Sequence, residues 1–135
     1  MIIKEKPPNF DRILAAFPDA GGPGIIFAYG PNIYNPSGKM IPPALMAHEA
    51  VHCSRQDGLF LPDAWWDLYL TDAQFRYNEE LLAHVAEYKA QAGGLDGNYR
   101  AKLLTSTARR LIAPLYNYQP PRRLHDALHD LGSRV

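Results

Sequence analysis

The chain has 135 residues, 47% of them hydrophobic and 21% charged, enough to bury a core without disulfides and ordinary for a soluble folded protein. The 14 Lys and Arg balance the 14 Asp and Glu, so no basic field points to a nucleic-acid partner and no charge excess points to an anionic membrane. A single cysteine, Cys53, excludes an intrachain disulfide; no segment has the ~18 apolar residues of a membrane span, and the N-terminus lacks a secretory pattern, so one cytoplasmic domain over residues 1–135 is expected.

In chain order, residues 9–17 read as a short helix capped by Asn9, with Ile13, Leu14 and Phe17 on one face. A glycine-proline turn follows from Pro18 to Gly24. Gly24 to Tyr29 is an apolar, partly β-branched run and reads as a strand. Asn32–Tyr34 and Lys39–Ile41 are expected to pair with it around Asn35-Pro36-Ser37-Gly38. Pro42-Pro43 opens a helix that runs to about Gln56 and ends at Asp57-Gly58. Asp63 is placed to cap a short helix carrying Trp65, Trp66, Leu68 and Tyr69. Thr71 or Asp72 caps a longer one to about Ala92, before Gly93-Gly94. Asp96 starts another, to about Tyr116, and Pro120 or Pro121 opens a last one ending near Gly132. The predicted fold class is α+β: an N-terminal helix and short strands over residues 1–43, two site-bearing helices over 44–92, and C-terminal helices over 93–135.

Residues 44–54 read Ala-Leu-Met-Ala-His-Glu-Ala-Val-His-Cys-Ser and contain HExxH at His48, Glu49 and His52. Residues i and i+4 lie one turn apart on a helix, so two imidazoles can converge on one metal. Neutral imidazole suits Zn2+, which lowers the pKa of a coordinated water to about 7. Glu49 follows the first histidine directly and can take that water's proton as general base. No proline or glycine interrupts Ala44 to Gln56. The neighbours Leu45, Met46, Ala50, Val51 and Cys53 are uncharged, as expected of a helix buried behind a metal site.

A catalytic zinc usually has three protein ligands and an open position. The next long helix offers Glu79 and Glu80. On a helical wheel Tyr77, His84 and Glu87 share the face of Glu80, whereas Glu79 lies with Phe75, Leu82, Ala83 and Ala86. A polar stripe beside aromatics suits a metal better, which favours Glu80. His84 can be a ligand, an orienting partner or a hydrogen-bonded core histidine, and the orienting role ranks first.

With Glu80, Ala83 and His84 downstream of HExxH, the sequence resembles the gluzincin class of zinc peptidases. In that class a glutamate on a later helix completes the site, a small residue follows three positions on, and an acidic residue often stands four positions on. Histidine occupies that last position here. More widely, His48-Glu49-x-x-His52-x-x-Arg55-Gln56, Trp65-Trp66-x-x-Tyr69 and Phe75-Arg76-x-x-Glu79-Glu80-x-x-Ala83 resemble small zincin-like proteins of tailed phages, over roughly residues 44–90. The gluzincin resemblance implies a small zincin-like domain and a zinc metallopeptidase acting on a peptide or amide bond, and the phage resemblance implies a host-cytoplasmic or virion-associated setting, with the protein either enzymatic or part of a particle. A zinc-stabilised structural protein contacting neighbouring virion proteins is the competing expectation. The substrate of an enzyme would lie along the strand near Gly24–Tyr29.

Other residues read as structural. Trp65 and Trp66 suit the core or a groove wall, and since adjacent helix positions diverge by about 100°, only one is expected to point straight inward. Tyr69 and Tyr77 suit packed rings with satisfied hydroxyls rather than oxyanion donors. Arg55 and Arg76 are expected to pair with Glu79, Glu80 or Asp72. Cys53 reads as a buried thiol, His125 and His129 as part of a solvated face, and Ser106 as an exposed helix flank.

Overall fold

A computed structural model describes residues 1–58 and 60–135. Its order is β1 (Ile2–Ile3), α1 (Phe10–Ala16), β2 (Phe27–Tyr29), β3 (Asn32–Tyr34), α2 (Pro43–Gly58), α3 (Pro62–Thr71), α4 (Ala73–Ala92), α5 (Gly97–Leu111) and α6 (Leu124–Gly132). The predominance of helix beside one small sheet agrees with the α+β class at that level. The sheet has strand order β1-β3-β2. β3 runs antiparallel to β2 and parallel to β1. Gly30 takes a left-handed φ of 59° in the two-residue turn between β2 and β3, a conformation that costs glycine least.

Several expected boundaries change. β1 is too short to be read from periodicity and forms because β3 offers it an edge. Lys39–Ile41 is not a strand. Residues 24–26 precede β2 without joining it. Asn9 sits at the start of α1 but its side chain makes no capping bond there. Asp63 falls inside the first turn of α3 and accepts a hydrogen bond from the Tyr29 hydroxyl at 2.5 Å instead of capping. The two predicted aspartate caps of the longer helices are present. Asp72 accepts from the backbone N–H of Gln74 and Phe75, and Asp96 from that of Tyr99. α5 stops at Leu111 rather than near Tyr116 because Pro114 forces Ala113 into an extended conformation, ψ 146°; Pro114–Tyr116 then makes a separate 3-10 turn.

Two apolar clusters flank α4. One gathers Ile13, Phe17, Phe27, Trp65, Trp66 and Tyr69. The other gathers Leu81, Ala108, Leu111, Tyr118, Ala127 and Leu131 from α4, α5, α6 and the loop between the last two. Both tryptophans are buried, against the expectation of one. α3 lies in a corner, so neighbouring directions on it both meet protein. Trp65 stacks on Tyr69 with ring centroids 4.8 Å apart, and the Trp66 indole N–H donates to the Ala28 carbonyl at 3.1 Å. α2 packs most extensively on α4, and the layer between them is polar.

Candidate metal centre

α2 buries the wrong face for an ordinary core helix. Its buried residues are His48, Glu49, His52 and Gln56. The uncharged neighbours expected to be buried are not: Leu45, Met46, Val51 and Cys53 are half-buried and Ala50 is exposed. α4 answers with its own buried polar stripe, Glu79, Glu80, His84 and Glu87. Burying so many ionisable groups is costly unless they pair with each other or with a cation.

Glu79 is fully accounted for inside the protein. Arg55 Nε lies 3.0 and 3.1 Å from its two carboxylate oxygens, and the Trp65 indole N–H donates at 2.5 Å. Glu80 points the other way, to the histidines. Its Oε2 is 3.3 Å from His48 Nε2 and its Oε1 is 3.3 Å from His52 Nε2. The two Nε2 atoms are 3.2 Å apart. The Tyr69 hydroxyl donates to Glu80 Oε1 at 2.6 Å. Burial alone would raise the Glu80 carboxyl, but the two imidazoles, His52 foremost, outweigh it and hold it well below the usual range.

The cluster fits a cation on two counts. A tetrahedral ion with bonds of about 2.0–2.1 Å spaces its donors about 3.3–3.4 Å apart, close to the spacings seen here. Glu80 Oε2, which lies against His48 Nε2, is buried without a hydrogen-bond partner among the described residues. Two imidazole nitrogens turned toward each other at 3.2 Å, beside a carboxylate, are best satisfied by positive charge between them.

A second, looser trio overlaps the first. His48, Glu80 and His84 offer donor atoms within 4.8 Å of one another. The distances favour His48, His52 and Glu80, while the contact made by His84 leaves its other ring nitrogen available and does not separate the two trios. His84 Nδ1 lies 2.7 Å from the Glu80 backbone carbonyl, which can only accept, so Nδ1 carries the proton. Burial pushes the His84 pKa down to about 3, with His48 and His52 adding and Glu80 opposing. His84 is therefore a neutral imidazole with its Nδ1 occupied.

Glu49 is buried and lines a cavity of about 350 Å³ together with His48, His52 and Glu80. Burial pushes its carboxyl up to about 8; His48 opposes this, while Glu80 and Glu87 add to it. The rest of the wall is largely apolar, including Phe17, Phe27, Trp66 and Leu115. Ile25, Ile26 and Phe27 border the same cavity. Further along the strand the outer edge of β2 is closed. The Gln56 side chain donates to the Ala28 carbonyl at 3.0 Å and accepts from Gly30 N–H at 2.8 Å. An extended ligand can pair only with the upstream part of the expected 24–29 edge.

Arg76 pairs with none of the three carboxylates expected of it, Glu79, Glu80 or Asp72. It is buried and donates to the backbone carbonyls of Tyr69, Tyr116 and Asn117 at 2.6, 2.7 and 3.0 Å. It thereby ties down the 3-10 turn that sets Tyr116 against His84, with ring centroids 5.9 Å apart. Burial and then the Glu80 carboxylate raise the Tyr69 and Tyr116 hydroxyl pKa values. Tyr77 gives its hydroxyl to Asp130 at 2.8 Å. Cys53 Sγ lies 3.6 Å from the Asn32 carbonyl and is half-buried, more open than expected. His125 is exposed beside Asp126, and Ser106 is exposed.

Sequence reasoning placed Glu87 on the face of Glu80 without giving it a role, and did not single out Tyr116. The i+7 spacing of Glu87 from Glu80 was the available signal. Tyr116 had none, because only the break at Pro114 turns it inward. No known family model matches the chain, and no curated protein or solved structure matches it either. No helix among the described residues is long and apolar enough to cross a membrane.

Proposed function

We propose that the protein is a zinc-dependent hydrolase of the gluzincin type, acting on a peptide or amide bond. The observation that carries this reading is the convergence of His48 Nε2, His52 Nε2 and the Glu80 carboxylate at 3.2 and 3.3 Å, beside a cavity that Glu49 also lines. These three side chains would hold the ion. The cavity beside these side chains would leave a fourth position open. When bound, zinc supplies Lewis acidity toward a carbonyl and toward water.

The chain's own residues supply the rest. Glu49, which lines the cavity beside the three ligand side chains, would take a proton at its carboxylate. Tyr69 holds Glu80 Oε1 in place by its 2.6 Å hydrogen bond. The backbone of Ile25–Phe27 offers an edge for an extended peptide, and the apolar wall excludes water.

One observation favours a second reading. His48, His52 and Glu80 are all buried and come from two helices, so zinc there would also staple α2 to α4 without any chemistry. A structural component of a larger particle would need no more. Glu49→Gln separates the two. In an enzyme it keeps zinc at one equivalent, by metal analysis, and lowers hydrolysis of a responsive peptide by about 10²–10⁴-fold. A protein that holds zinc but cleaves nothing on peptide and peptidoglycan panels, with wild type and Glu49→Gln alike, is the structural one.

A further inference from the structure

The buried layer holds a second pair of atoms that lack partners and face each other. His48 Nδ1 and Glu87 Oε2 are both buried, neither has a hydrogen bond among the described residues, and they lie 3.9 Å apart. Glu87 stands on α4 seven residues beyond Glu80, on the same stripe. Arg110 of α5 puts its Nε 3.6 Å from the other carboxylate oxygen, Oε1. That contact holds the carboxylate between helices and leaves Oε2 directed at the imidazoles.

The identity of the donor follows by elimination. His84 Nε2 is 3.8 Å from Glu87 Oε2, but the proton of His84 is on Nδ1, given to the Glu80 carbonyl. A bare Nε2 cannot donate. His48 Nδ1 is the remaining group. His48 Nε2 already faces His52 and Glu80. We propose that Glu87 is a positioning residue for the metal centre: it accepts the Nδ1–H of His48 and so fixes Nε2 as the nitrogen turned to the ion. The gap is about 1 Å beyond hydrogen-bond range. A cation on Nε2 makes Nδ1–H a stronger donor and draws the carboxylate in. His52 Nδ1 has no partner among the described residues, so the two histidines are unequal: only His48 is backed by a carboxylate. The inference rests on His48 being a metal ligand.

The test is a zinc titration of the full chain against a competing chelator. Glu87→Gln is expected to weaken zinc by about 10–100-fold, the effect typical of a lost ligand-orienting partner. Glu87→Asp should recover part of that loss. The metal-free Glu87→Gln protein should melt no lower than wild type, because it loses an incompletely paired buried charge. Affinity within twofold of wild type overturns the proposal while leaving the zinc site intact. Absence of zinc binding by wild type overturns the zinc reading itself. If Glu87→Gln does not fold, imidazole nitrogen shifts of the zinc-loaded wild type decide. A protonated, hydrogen-bonded His48 Nδ1 supports the proposal, and zinc on Nδ1 overturns it.

Discussion

The two long faces of α4 are built on opposite principles. Toward α5 and α6 the helix presents Leu81, which joins Ala108, Leu111, Ala127 and Leu131 in an apolar cluster. Toward α2 it presents Glu79, Glu80, His84 and Glu87, all buried. The first face gains from every methylene removed from water. The second spends burial on groups that water would solvate better, and recovers only part of that through Arg55, Trp65 and Tyr69. The difference teaches which face holds the chain together and which is specialised. A helix that needed only to pack would have no reason to bury two neighbouring glutamates.

The comparison breaks most easily on the apolar side. Leu111 is 0% exposed, so Leu111→Ala should cost about 2–5 kcal/mol in denaturant unfolding. The loss should be the same with and without zinc, since the cluster is separate from the histidines. A smaller loss with zinc present would mean that the two faces are coupled. On the polar side, zinc at about 1,000 times its Kd should stabilise wild type by about 4 kcal/mol. His52→Ala should abolish that gain in a thermal scan and leave the metal-free melting temperature much less affected. Equal zinc stabilisation in His52→Ala would remove His52 from the site. The smallest effect belongs to neither face. Asp72→Ala removes the cap shared by Gln74 and Phe75 and should cost about 1 kcal/mol, with zinc binding unchanged.

Local chemistry made much of this arrangement legible. Pro43 stands where α2 begins, and Asp72 and Asp96 cap where the pattern placed them, whereas Asp63 caps nothing and α6 begins at Leu124, beyond Pro120 and Pro121. The i, i+4 spacing of His48 and His52 is a property of any helix, and so is the shared stripe of Glu80, His84 and Glu87. Glu80 points to the histidines and Glu79 to Arg55. The failures have a common cause. β1 exists only because β3 offers an edge, and Lys39–Ile41 finds none. Trp65 and Trp66 are both buried because α3 sits in a corner, which a helical wheel cannot show.

What the sequence determined by itself is most of the helical frame and which residues can share a face: His48 with His52, and Glu80 with His84 and Glu87. Those follow from covalent spacing along a helix of fixed pitch. Only the tertiary structure decided how the donors are used. The angle and depth at which α4 meets α2 turn Glu80 to the histidines and Glu79 to Arg55, and α5 brings Arg110 to Glu87. Contacts between elements distant in sequence set those positions, and no local pattern encodes them.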